Sequence, residues 1–401
     1  VASTPVPTDA TSIAHEELDG GFGVWVSAAT AAENAPDEAR AEEFARRLSS
    51  AGVRLVLLES RTVGDEVIFP SVTHRVLRDD EGLLGRVADA NRSAGIETVA
   101  VVPLFLGVPR PGEAPVEYGW DPALKGAKLT ERQSRAGELP YRSLFAADAR
   151  TRVRTLLDEV ARVEGIDSIC VSHVGFPNHM TDFRPEARLA FERQLGEAVS
   201  PWPEAIVSFG ESDGEPRVSP GRLWKKWAGW RTSVVSTQLF GMAAAIRSES
   251  VAEFGSAKSV SLMANGYLDQ RLRTGVNWAS LVNEEEAGVG EIFDRLFLEA
   301  YSPIVTREES AAAGLRESAS LEDVLSKAAQ ASPATVERWM VIHLLPYLDE
   351  EGRLTAEKRH RLREALLLAS RWKVPVVLMD YELLTRTMAW EDVRMAVQTA
   401  P

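Results

Sequence analysis

The fold this sequence predicts is α/β: a single (β/α)8 (TIM) barrel with long βα-loop insertions. Three observations carry it. Eight short apolar runs recur along the chain, with helix-period segments between most of them. Two helix-Gly-strand joints follow one another early, at Ala51-Gly52-Val53 and Ala94-Gly95-Ile96, where a glycine closes a helix and a buried strand begins. The chain has 401 residues, 45% of them hydrophobic and 26% charged, enough to close one large barrel around its own core. A doubly wound sheet is the runner-up, but no glycine-rich phosphate loop follows the first apolar run.

The elements follow in order. Residues 1–21 are expected to be a flexible leader, because 1–12 are rich in Ser, Thr, Pro and Ala. The barrel domain is then 22–401. Residues 22–27 (Phe-Gly-Val-Trp-Val-Ser) read as the first strand and 36–50 as a helix, with Phe44 and Leu48 four apart. Residues 53–58 form the second strand, ending in Glu59-Ser60-Arg61. A helix over 83–94 and a strand over 96–103 follow. Residues 105–141 carry Gly, Pro and charge without periodicity, and a loop of this length in a compact domain usually has a function or lacks order.

The stretch 150–163 is a helix with Val153, Leu156, Leu157 and Val160 on one face, and it feeds the fourth strand at 166–171. Residues 185–199 are helical and 201–220 irregular. A long helix over 223–248 places Trp224, Trp227 and Trp230 three apart, a spacing more typical of core than of a sugar platform. Further strands are expected at 258–264, 297–301, 339–345 and 374–379. A short helix or turn is expected at 292–296, and helices at 321–330, 357–370 and 391–398.

Charge and composition narrow the partners. A net charge of −14 leaves no basic excess to displace counterions from a nucleic acid, and no reason to expect an anionic membrane as partner. No apolar run approaches the ~20 residues of a membrane span. A neutral ligand is compatible. The lone Cys170 lies in an apolar run and reads as a buried thiol, so no intrachain disulfide forms. The chain does not begin with Met. Export with the signal removed, to the periplasm, cell surface or exterior, is one expectation; a trimmed end explains the same start, and the cytoplasm stays open. Oligomeric state is not legible.

In a (β/α)8 barrel, chemistry sits just past the C-terminal ends of the strands. Those positions offer Glu59 and Arg61, with Asp65 in the following loop, then Ser172 and His173, Asn265, Glu299 and Tyr301, His343 or Tyr347, and Asp380. Glu59, Glu299 and Asp380 are the candidate catalytic carboxylates, since glycosidic cleavage needs one group to protonate the leaving oxygen and another to attack or activate water. Glu59 and Asp380 lie two strands apart, roughly 10 Å between backbones at ~4.8 Å per strand. Trp25, Arg61, Asp65, His173, Asn265, Tyr301 and Tyr381 are the candidate substrate contacts, with Tyr118 and Trp120 as further aromatics.

Each has a structural alternative: Glu59 as an ion-pair partner of Arg61, Asp65 as a turn residue, His173 as a satisfied loop histidine, Glu299 as a half-buried partner of an arginine. Six scattered histidines and no His-x-x-x-His disfavour a metal site, and no cofactor is expected. No Gly-x-Ser-x-Gly elbow supports a serine triad.

At these residues the chain resembles the bacterial glycosyl-hydrolase-like family 10, whose members are TIM-barrel glycosidases. Gly23-Val24-Trp25-Val26 is similar to that family's opening strand. Glu59-Ser60-Arg61, Gly64-Asp65 and Pro70-Ser71 follow the family's Gln-Val-Arg, Gly-Asp and Pro-Ser. Trp224-Lys225-Lys226-Trp227 resembles its Trp-x-x-Trp helix, Gly275-Val276-Asn277-Trp278 its Gly-Gln-Asp-Trp, and Val376 to Tyr381 its last strand. The resemblance spans about residues 22–384 and implies a polysaccharide or oligosaccharide ligand. It departs at strand four. Aligned on Asp167 and Pro177, Ser172 stands where the family has an aspartate, and Gly175 where it has an arginine. That aspartate is the catalytic carboxylate the resemblance implies, and serine cannot replace it as acid or base at neutral pH. Either the chemistry has moved to Glu59, Glu299 or Asp380, or the barrel binds a glycan or a protein without cleaving.

Overall fold

The computed structural model describes residues 21–107, 141–176, 183–212, 215–265, 292–301, 303–312, 320–331 and 336–387, with 389, 390 and 393. The leader, most of the 105–141 loop with Tyr118 and Trp120, the 275–278 motif and the final helix at 391–398 lie outside the described residues.

Eight parallel strands close into a barrel, neighbour to neighbour, and they are the eight apolar runs of the sequence. The chain opens with β1 (Phe22–Val26), α1 (Ala28–Asn34), α2 (Glu38–Ser50) and β2 (Val53–Glu59). Two short parallel strands, β3 (Glu66–Val67) and β4 (Arg75–Val76), decorate the next loop before α3 (Leu83–Ser93) and β5 (Glu97–Pro103). Then come α4 (Ala147–Ala161), β6 (Ser168–Ser172) and α5 (Pro185–Leu195).

An antiparallel hairpin of β7 (Val207–Ser212) and β8 (Glu215–Pro220) occupies the segment expected to be irregular. The two residues between its strands are Asp213-Gly214, a dipeptide typical of tight hairpins, and that was the available signal. The chain continues through α6 (Trp224–Phe254), β9 (Ser259–Asn265), β10 (Arg295–Ala300), α7 (Arg307–Ala312), α8 (Leu321–Ala331), β11 (Glu337–His343), α9 (Ala356–Arg371), β12 (Val376–Met379) and α10 (Tyr381–Arg386). The turn expected at 292–296 is in part the start of β10.

Side chains alternate along each strand, so the register sorts them into a lumen and an outer layer. Trp25, Leu55, Leu57, Val99, Val101, Cys170, Met263, Phe297, Trp339, Val341 and Val377 fill the lumen as one buried cluster. The outward residues of the same strands pack under the helices, with Phe44, Leu48, Leu84, Val87, Leu156 and Leu157 from the helical side. At the N-terminal ends of the strands, Arg295 bridges Glu97 and Glu337, and the Trp339 Nε1 donates to Glu337 Oε1 at 2.9 Å. This ionic floor closes the barrel from below and leaves the opposite end for function.

The insertion between β6 and β9 carries its own core. Trp227 is fully buried, stacked on Phe183 (5.6 Å between centroids) and edge-on to Phe191 (4.9 Å). Trp224 is buried beside them, so these tryptophans serve packing.

Candidate active site

The strand register sets which side chains face the mouth. Glu59 is two residues past lumen-facing Leu57, Ser172 two past Cys170, Glu299 two past Phe297, and His343 two past Val341. These end residues form the layer directly above the lumen plug. Glu299 pairs in register with Asn265 and Val341, and His343 with Met379.

Around Glu299 the structure gathers its near neighbour Tyr301 with two groups from distant parts of the chain, His343 and His173. His343 Nε2 lies 3.4 Å from Glu299 Oε1, and both side chains are nearly buried, at 14% and 13% exposure. The Tyr301 ring lies 4.1 Å from the His343 ring, tilted by 36°, and is itself 42% exposed. His173 approaches from the end of β6. Burial pushes the Glu299 carboxyl pKa up, but the close approach and charge of His343, the charge of His173 and a hydrogen bond from Tyr301 outweigh it and hold the group below its ordinary value. Glu299 is therefore ionised at neutral pH. Its negative charge adds to burial in keeping the Cys170 thiol protonated below it.

His173 has a left-handed backbone (φ 53°), a conformation that a non-glycine residue adopts only under local constraint. Ser172 Oγ and His173 Nδ1 are 3.1 Å apart, and the ring lies 5.9 Å from that of Tyr141. Burial lowers the imidazole pKa, against the attraction of Glu299 and with the repulsion of Arg61 and His343.

Glu59 stands on the opposite wall. In the closed strand order β2 and β10 are four strands apart in either direction. Glu59 Oε2 accepts a hydrogen bond from the Ala28 N–H at 3.0 Å. That donor is free because Ala28 opens α1, whose first N–H groups have no partner within the helix. Ser27 caps the same turn by accepting from Thr30 N. Burial raises the Glu59 pKa, and the Ala28 bond and the Arg61 charge only partly offset it. The mouth thus holds two carboxylates, one biased toward its acid form and one toward its anion.

Other candidates are placed elsewhere. Arg61 is fully buried: Nε and Nη2 donate to Asp65 Oδ1 at 3.0 and 2.6 Å, and Nη1 donates to the Pro103 and Leu104 carbonyls. Asp65 also receives Arg142 and Arg152, at 3.0 and 3.1 Å, so Arg61 and Asp65 build a wall of the barrel end. Asp380 follows β12, two strands from β2. Its carboxylate accepts from Leu383 N at 2.9 Å and caps α10. Tyr381 is wedged against Phe44 and Trp390 in the helical layer. Trp25 is buried in the lumen plug. Asn265 ends β9 beside Glu299; its side chain lies outside the described residues. Tyr347 is buried, so strand seven contributes His343. The alternation Trp339, Val341, His343 was the signal for it. Among the described residues no group of three or more His, Cys, Asp or Glu is arranged for a metal ion.

No family model matches this chain, and no curated protein matches it by sequence. Solved structures do match. One is the PgaB (BpsB) glycoside hydrolase domain from Bordetella bronchiseptica: TM-score 0.66, 15% identity, 95% of this chain and 99% of that one. Another is the catalytic domain of β-amylase from Paenibacillus polymyxa: TM-score 0.58, 13% identity, again 95% and 99%. At such identities the likeness is one of fold: this chain shares the (β/α)8 barrel of these structures.

Proposed function

We propose that the protein is a glycoside hydrolase acting on a polysaccharide or oligosaccharide at the C-terminal mouth of the barrel. One observation carries the reading: two carboxylates on opposite walls have ionisation pushed in opposite directions, Glu59 toward the acid and Glu299 toward the anion. That division of labour is what glycosidic cleavage requires. Glu59 donates a proton to the leaving oxygen. Glu299 attacks the anomeric carbon or takes a proton from water. Tyr301, partly exposed beside Glu299 and His343, offers a ring face for a sugar. The two solved structures described above are named as a glycoside hydrolase domain and a β-amylase, which supports this reading.

A second reading has its own observation. Ser172, where the resembling family has an aspartate, is 1% exposed and engaged by its neighbour His173. On that reading the barrel binds glycan without cleaving it. The test is hydrolysis of a panel of bacterial and plant polysaccharides by wild type, Glu59→Gln and Glu299→Gln, with folding checked by circular dichroism. The hydrolase reading expects wild-type cleavage and a loss of about 10²–10⁴-fold in each variant. Glycan binding without cleavage by wild type selects the second reading. Cleavage undiminished in Glu299→Gln removes Glu299 from the chemistry.

A further inference from the structure

We infer that His343 is a positioning residue for Glu299, clamped between that carboxylate and the Tyr301 ring so that the carboxylate stays ionised and aimed into the barrel mouth. The inference rests on the hydrolase reading for its consequence but on geometry for its content.

Three observations converge. First, the strand alternation that brings Glu299 to the mouth from β10 brings His343 there from the adjacent β11, and the parallel register of these strands holds through Ala300 and Ile342. Both backbones are therefore fixed by the barrel ladder rather than by a loop. Second, the His343 ring has little freedom to turn. Tyr301 covers it at 4.1 Å, and the side chain is 14% exposed. Third, the buried Nε2 makes no hydrogen bond among the described residues, and Glu299 Oε1 stands 3.4 Å from it. That is an ion-pair separation, longer than a standard hydrogen bond. A buried polar atom aimed at a carboxylate and held slightly short of full contact is poised to tighten when a ligand excludes water.

The titratable groups facing this pair are Glu299 and Tyr301 from β10, His173 from β6 and Cys170 below; Arg61 acts on His173. Met379 of β12, next in register to His343, is apolar. Of these groups, His343 is the one whose ring nitrogen directly approaches the Glu299 carboxylate, so its removal acts most strongly there.

The experiment follows Glu299 by two independent readouts in the full chain. One is the carboxyl ¹³C titration of Glu299, assigned by its disappearance in Glu299→Gln. The other is the acidic limb of the pH profile of kcat/KM on a cleaved glycan. In His343→Gln both move to higher pH, and kcat falls by up to about a hundredfold with KM little changed, because a misplaced carboxylate hurts the transition state more than binding. Tyr301→Phe keeps the ring and removes the hydroxyl, so it shifts the titration in the same direction but less; it also serves if His343→Gln fails to fold. A Glu299 titration indifferent to both substitutions overturns the inference and leaves the hydrolase reading standing. A titration that responds in a protein cleaving no glycan supports the inference and removes that reading.

Discussion

Asp65 is 4% exposed and receives three arginines, Arg61, Arg142 and Arg152, with His74 Nε2 at 3.5 Å. Burial alone would raise its pKa, but the arginine charges and hydrogen bonds bring it down to about 2 from an ordinary 3.8. The sign of the linkage follows. Between pH 3.8 and about 2 the unfolded chain binds the proton that the folded chain refuses, so this contribution is complete above pH 3.8 and fades as pH falls toward 2. Asp65→Asn strands Arg61 in the interior without its counter-charge and is expected to cost about 3–5 kcal/mol at neutral pH. Urea denaturation of wild type and variant at a series of pH values checks this, and the gap between them should narrow as the acid range is entered. Arg61, whose own pKa burial brings down to about 10 against the pull of Asp65, belongs to the same unit. The sequence shows that Arg61 and Asp65 are four residues apart and charged. It does not show that the turn between them folds inward, which is why they read equally well as substrate contacts.

Strands and helices were the legible level. The lumen and outer layers arise from alternation alone, and the helix ends from glycines and small polar caps. Two glycines show how different the demands on one residue type are. Gly95 ends α3 at φ 73° with open space around it, so the cost of Gly95→Ala is conformational, about 1 kcal/mol. Gly23 has ordinary backbone torsions but sits in the lumen between β2 and β12. A Cβ there would lie 2.8 Å from Val377 Cγ2 and 3.2 Å from Leu55 Cδ2. Gly23→Ala therefore overpacks the barrel floor and is expected to cost about 1–3 kcal/mol. Urea midpoints of both variants, compared with wild type, test the difference in mechanism. Asp380 illustrates a second role at this scale. It follows a buried strand, which made it a candidate acid, yet it also precedes Tyr-Glu-Leu-Leu, a helix start with an acidic first turn. The cap won, because the N–H of Leu383 has no partner within the helix and Asp380 supplies one.

Across the whole molecule, the net charge of −14 and the carboxylates at the mouth point to a neutral ligand. We expect binding of a neutral oligosaccharide to change by less than about twofold between about 0.01 and 0.15 M salt, since screening acts on charge. A polyanionic polysaccharide should bind more weakly at the lower salt. Calorimetric titration of both ligands at the two salt levels distinguishes these outcomes.

What the sequence determined by itself is the architecture: eight strands and the order in which they follow one another along the chain. Those rest on local periodicity and on caps a few residues long. It also named Glu59, Glu299, His173 and Tyr301, because they stand at or just past the C-terminal ends of barrel strands. Only the tertiary structure decided which way burial and neighbouring charges push Glu59 and Glu299. Burial pushes the Glu59 pKa up, while His343, His173 and Tyr301 hold that of Glu299 below its ordinary value. Ionisation depends on burial and on charges within a few ångströms, and those neighbours come from strands far apart in the chain.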